Sequence, residues 1–308
     1  MVLALLLILL PTCSTAATPP KRILVLQSFG PDFAPYHAFS SVFRSQLASY
    51  WPHPVEFHEA ALQSAQLGQS QAEGPFLGYL VALYGKRLPD LVVPIGGPAV
   101  RFVEKYRRDL FQDAPMLLGA VDARHLEAQA LSDHDTAVAI RLDLPGLVQS
   151  ILQILPQTTR LYVVLGASPL ERFWQAELSR EIERFSDRIA VTYWNDLPFD
   201  EMQRQASRLP PGSAIFYGLL IVDADGIPHD QSQALSALHR VANAPIFGIF
   251  DSDLGSGIVG GPLIPVAAVG RTAAEVAARI LAGEAPSSIR TPPAGPATRT
   301  PPGASSSS

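Results

Sequence analysis

The chain is expected to fold as two doubly wound α/β lobes, each a parallel sheet covered by helices on both faces, joined by a hinge. Three observations lead there. Short runs that are almost wholly apolar alternate with segments whose apolar residues recur at helical spacing, as in parallel strands buried on both faces. This series runs once and then restarts near Leu142-Asp143. The length, 308 residues, suits two domains better than one.

In the first series, Arg22 to Gln27 (RILVLQ) reads as a strand ending in the loop Ser28-Phe29-Gly30-Pro31. Phe39 to Tyr50 has helical spacing, Val55 to Ala60 alternates as a strand, and Phe76 to Tyr84 reads as a helix. Asp90 to Ile95 is a third strand, stopped by Gly96-Gly97-Pro98 before the helix Ala99 to Tyr106. Met116 to Val121 and Thr136 to Leu142 complete the strands of this half.

The second series opens with the helix Leu144 to Leu155 and the strand Leu161 to Leu165. Leu170 to Phe185 (helix), Ile189 to Trp194 (strand), Phe199 to Leu209 (helix) and Ala214 to Gly218 (strand) follow. Gln231 to Ala242 (helix) and Ile246 to Phe250 (strand) close it, and Val266 to Ala282 is a last helix. From Gly283 the composition turns to Pro, Ala, Thr and Ser, so residues 284–308 are expected to be a disordered tail.

The N-terminus points to export. Val2 to Leu10 is an unbroken apolar run followed by Pro11 and the small residues Ser14-Thr15-Ala16-Ala17, which makes residues 1–17 a secretory signal. No Lys or Arg precedes that run. It is too short to span a bilayer, which takes about 20 residues, and no later segment is long and apolar enough. Cys13 is the only cysteine, so disulfides play no part in the mature chain; Leu10-Pro11-Thr12 before it suits lipid attachment poorly. A net charge of −5 without a basic stripe excludes nucleic acid as a partner.

Ligands of open α/β sheets bind beyond the carboxyl ends of the strands. Here those ends are Ser28-Phe29, Gly96-Gly97, Asp122, Ala167-Ser168, Leu219 and Phe250-Asp251. Gly96-Gly97-Pro98 allows either backbone donors for an anion or simply a tight strand–helix turn. Ser168-Pro169-Leu170-Glu171 matches a capping box, which accounts for Ser168 without any ligand. Phe29, Phe33, Tyr36 and Trp174 are aromatic residues able to sandwich a flat ligand, although Trp174 fits a core position equally well.

Signs of catalysis are scarce. The sequence holds no G-x-S-x-G elbow, no P-loop and no H-E-x-x-H. His53 and His58 straddle a strand and point apart, while His125 and His134 read as solvated loop residues. Asp223-Ala224-Asp225-Gly226 and Asp251-Ser252-Asp253 resemble calcium loops superficially but lack the closing glutamate, so turns are the better reading. No cofactor or metal is expected.

Several of these stretches together resemble a known family. Lys21-Arg22-Ile23-Leu24-Val25-Leu26, Gly96-Gly97, and above all Pro245 to Gly261 (PIFGIFDSDLGSGIVGG) are similar to ABC-transporter substrate-binding proteins of the type I periplasmic fold. That last stretch with Gly270-Arg271-Thr272-Ala273-Ala274 is similar to the subgroup fused to bacterial sensor histidine kinases. The resemblance covers about residues 21–290. It implies a first lobe of residues 18–142 plus 265–283, a second lobe of 143–250, and a return hinge crossing at 251–264. It also implies a periplasmic, non-enzymatic protein closing on a small molecule such as an amino acid or related metabolite. An ABC permease or a sensor kinase would be its partner. Carried over by position, the pocket comprises Ser28, Phe29, Tyr36, Gly97, Asp122, Ser168, Trp174, Leu219, Asp251 and Gly257. Beyond Pro292 the chain departs from the family, whose members make a third crossing. A truncated sensor domain and an enzyme on a doubly wound fold are the alternatives.

Overall fold

A computed structural model describes residues 19–30, 33–62, 69–85, 87–127 and 131–296. The expected signal at 1–17, with Cys13, and the last part of the expected tail, 297–308, lie outside those residues.

Among the described residues the first half alternates β1 (Lys21–Gln27), α1 (Ala34–Tyr50), β2 (Val55–Ala61), α2 (Gln69–Tyr84), β3 (Leu91–Ile95) and α3 (Gly97–Lys105). The short α4 (Arg107–Leu110), β4 (Met116–Asp122), α5 (Ala123–Glu127) and β5 (Asp135–Ile140) complete it. The second half runs α6 (Leu144–Ile154), β6 (Arg160–Leu165), α7 (Pro169–Ile182), β7 (Ala190–Tyr193), α8 (Phe199–Ala206) and β8 (Ser213–Leu219). It ends with α9 (Gln231–Val241), β9 (Ile246–Phe247), β10 (Ile258–Gly260) and α10 (Val266–Leu281).

The strands form two parallel five-stranded sheets, ordered β2-β1-β3-β4-β5 and β10-β9-β8-β6-β7. Both have the same winding: the chain moves outward one strand, then reverses past its starting strand. Alternation within each apolar strand feeds both faces. In β1, Ile23 and Val25 enter the core shared with α1, whereas Leu24 and Leu26 enter the core beneath α2 and α3. In β8, Ala214 and Phe216 face one way, Ile215 and Tyr217 the other. A polar alternation would have left one face wet.

The chain crosses between the halves at Ile140–Leu144 and returns along Phe250–Ile264, where Phe250 and Ile264 pair in parallel. α10 then packs on α1 of the first half. Gly261 lies on this return path at φ 145°, and a Cβ there would collide with the Gly248 carbonyl oxygen. The sequence reading missed β10, because its flanking glycines read only as loop. Gly255 to Gly260 (GSGIVG) also has the G-x-G-x-x-G spacing. It follows a 3-10 turn and enters a strand, not a helix, so it lacks the context of a dinucleotide-binding loop.

The expected tail needs correction over residues 284–296, which are ordered. Ile289 is buried, its carbonyl accepts from the Thr136 hydroxyl at 2.8 Å, and Ala294 pairs in parallel with Ile140. Proline-rich composition hides this, since the segment needs only one apolar anchor and a few backbone bonds to the open edge of β5. Ile289→Val is therefore expected to cost about 1 kcal/mol, lowering the melting temperature by about 2–4 °C. Calorimetry showing no change would return the segment to a loose tail.

Candidate functional site

The carboxyl ends of both sheets and the crossing segments enclose one large cleft, with about 1030 Å³ of empty space including its open mouth. The first half contributes Phe29, Phe33 and Tyr36 from the β1–α1 region, Gly97 and Arg101 from α3, and Ala120, Asp122 and His125 around the end of β4. The second half contributes Leu165, Leu170, Trp174 and Leu219; Leu142, Phe250 and Ile264 come from the crossings.

Six of the ten expected site residues line this cleft: Phe29, Tyr36, Gly97, Asp122, Trp174 and Leu219. The other four serve the walls from behind. The Ser28 hydroxyl donates to the Ile95 carbonyl at 2.7 Å and accepts from the Ala99 N–H at 2.9 Å, tying β1 and β3 to the start of α3. Ser168 completes a capping box with Glu171, whose other carboxylate oxygen accepts from the Ile221 N–H at 2.7 Å. Asp251 accepts from the Val266 N–H at 3.0 Å, capping α10. Gly257 abuts His239 of α9 at φ 125°.

On one side the aromatic wall is a three-ring cluster. Phe29 stacks on Tyr36 at 5.5 Å between centroids, and Phe33 meets both edge-on at 5.0 and 4.7 Å. Burial pushes the Tyr36 phenol well above its ordinary pKa, opposed by a hydrogen bond with Ser28 and the charge of Arg101. Gly96, at φ 81°, lets this ring come close, since a Cβ there would overlap the Tyr36 oxygen. Opposite stands Trp174, partly buried, with the Arg124 guanidinium 5.6 Å from its ring centroid.

His125 was expected to be solvated, but it lines the cleft. Its ring lies 5.2 Å from that of Phe173 and 5.9 Å from that of Trp174, and its Nδ1 is buried without a hydrogen-bond partner. Burial lowers its pKa, so the imidazole is neutral at pH 7. The short helix α5, which carries it, gave no periodic signal. Arg101 was also missed: one exposed arginine on an amphipathic helix has nothing in sequence to mark it. Its guanidinium reaches to within 3.3 Å of where a Gly97 Cβ would sit.

Asp122 is the buried carboxylate of the cleft, and both its oxygens are engaged. One accepts from the Arg124 N–H and Nε at 3.0 and 2.8 Å; the other accepts from Arg124 Nη2 at 3.0 Å and the Leu142 N–H at 3.3 Å. Burial acts to raise its pKa, but these bonds outweigh it and hold the carboxyl below the ordinary range. Arg124 also pairs with Glu181 on α7, so the network joins the two halves. Just before Asp122 the β4–β5 register shifts and Ala120 adopts φ 50°, which turns the strand end towards the cleft.

No protein-family model matches the chain, and no curated protein matches it in sequence. Solved structures do. A conserved domain protein from Vibrio cholerae O1 biovar El Tor shares 18% identity, with 88% of each chain covered and a TM-score of 0.63. The ABC domain in complex with L-Trp from Streptococcus pneumonia shares 15% identity over 90% of each chain, with a TM-score of 0.64. An ABC transporter solute binding protein from Bacillus halodurans C-125 with bound myo-inositol shares 15%, covering 88% of this chain and 92% of that one, with a TM-score of 0.52. The chain has the type I periplasmic-binding fold, as its sequence resemblance implied.

Proposed function

We propose that this chain is an exported solute-binding protein that captures a small molecule between its two halves and presents it to an ABC permease or a sensor. One observation carries the reading: a single cleft whose aromatic walls come from both halves and whose floor includes both crossings. Such a site buries a ligand fully only when the halves come together, which couples binding to shape. The solute-binding proteins that share the fold support it. Export rests on the apolar Val2–Leu10 run.

A binding role also suits the side chains better than catalysis does. The cleft wall offers Arg101, Asp122, His125 and the Tyr36 phenol, and Asp122 is committed to Arg124. Among the described residues there, no nucleophile is hydrogen-bonded to a base. Among the described residues no helix is long and apolar enough to cross a membrane.

Native mass spectrometry of the protein isolated from its own export compartment tests the reading, with a non-covalently bound small molecule expected. Trp174→Ala removes a wall of the cleft and is expected to weaken binding of that molecule roughly 5- to 150-fold, equivalent to about 1–3 kcal/mol. Since Trp174 is only partly buried, though packed against the core edge, the unliganded variant should lose less stability, read from its melting temperature, than the about 3–5 kcal/mol that truncating a core Trp costs. A bare protein, or turnover of a substrate panel lost with one cleft substitution, would sink the proposal.

A further inference from the structure

The charges that reach the cleft point to a narrower ligand class than its shape does. We propose that the cleft takes an aromatic monocarboxylate that carries no ammonium group, rather than a zwitterionic amino acid. This rests on the binding function proposed above and adds the chemistry of the ligand.

An amino acid held in a closed cleft needs both a cationic or donor-rich partner for its carboxylate and an anionic one for its ammonium. Among the described residues a free carboxylate, the anionic acceptor an ammonium needs once it is shut off from water, is what the cleft lacks. Of the described lining residues only Asp122 bears a carboxylate, and four hydrogen bonds from Arg124 and Leu142 occupy its two oxygens. Turning it towards a ligand would leave Arg124 only its Glu181 partner and would strand a backbone N–H of the first crossing. Three carboxylates behind the wall are also engaged. Glu181 pairs with Arg124, Glu171 closes the capping box and holds Ile221, and Asp251 caps α10. An ammonium placed among Phe29, Phe33, Tyr36 and Trp174 would be dehydrated without an ionic partner, which is costly.

A carboxylate meets the opposite situation. Arg101 brings a permanent positive charge to the mouth, beside Gly97 on the first turn of α3. His125 adds a polar ring without a competing charge. The ligand body is set by the rings on the two sides, the Phe29–Phe33–Tyr36 cluster and Trp174, which favour a flat aromatic group.

Titration calorimetry on the full chain, stripped of bound ligand by unfolding and refolding, tests this with indole-3-propionate, its neutral amide and tryptophan. The acid is expected to bind at least about tenfold more tightly than either of the others, since each lacks the anion or adds an unpaired cation. Arg101→Gln should weaken the acid by about tenfold and remove its advantage over the amide. Arg101 is exposed, so the variant should melt like the wild type. Tryptophan binding as tightly as the acid would overturn the ligand class while leaving a binding protein in place. Equal affinity for acid and amide would overturn it too. If none of the three probes binds, this inference fails, and the function proposed above fails with it only if the natively isolated protein is also bare.

Discussion

Replacing Asp253 by asparagine is expected to stabilise the protein by about 4 kcal/mol at pH 8 and by little at pH 4. Asp253 sits in the 3-10 turn of the return crossing, 1% exposed, and neither of its carboxylate oxygens has a hydrogen-bond partner. Burial, and then the charge of Asp251, push its pKa up to about 7. In the unfolded chain the same group titrates near 4. Between those values the folded protein holds a proton that the unfolded chain has released. Raising the pH through this window therefore favours unfolding, and above about pH 7 the loss is complete. Asparagine has the neutral shape without the titration, so the gap between variant and wild type should widen from pH 4 to pH 8 and then level off. Urea unfolding at three or four pH values would show it; a pH-independent difference would mean that Asp253 finds a partner in solution.

Arg124→Gln should act in the opposite direction, costing about 3 kcal/mol at neutral pH, the lower end for breaking a buried pair because Arg124 itself keeps a quarter of its side-chain surface. The cost comes from Asp122, whose side chain is 2% exposed and would keep its charge without a cationic partner. Asp122 has a folded pKa held below its unfolded value, so the pair stabilises above the carboxylate range and loses its effect as acid protonates it. The difference between variant and wild type should accordingly shrink at low pH. Adding Asp122→Asn to Arg124→Gln removes the stranded charge and should recover much of the loss. A single-variant cost below about 1 kcal/mol would reduce the network to a surface ion pair. Because Arg124 also bonds Glu181 on α7, small-angle scattering of the same variant should show a more open pair of halves.

Much of this architecture was legible along the chain. The wholly apolar strands could only be buried on both faces, and amphipathic helices between them had to cover those faces, so two parallel sheets followed from patterning. Ends of strands likewise marked the cleft, and Ser168 announced its capping box through Pro169 and Glu171. Segments whose order rests on distant partners left no such trace. β10 borrows its pairing from β9, and Ile289 with Ala294 borrows its own from β5, so glycine- and proline-rich composition there read as loop and tail.

Sequence alone, then, determined the two-part α/β fold and the loops from which the cleft is built, because period and punctuation are local properties of a chain. It could not say which loop residues face the ligand. Ser28, Asp251 and Phe29 stand at strand ends alike, yet only Phe29 lines the cleft, while the two polar side chains turn to backbone N–H groups across the fold. His125 and Arg101 joined the site only when β4 and α3 were brought against the second half. Such choices depend on which partners packing places within about 3 Å of a polar atom, and that distance is set by residues far away in the chain.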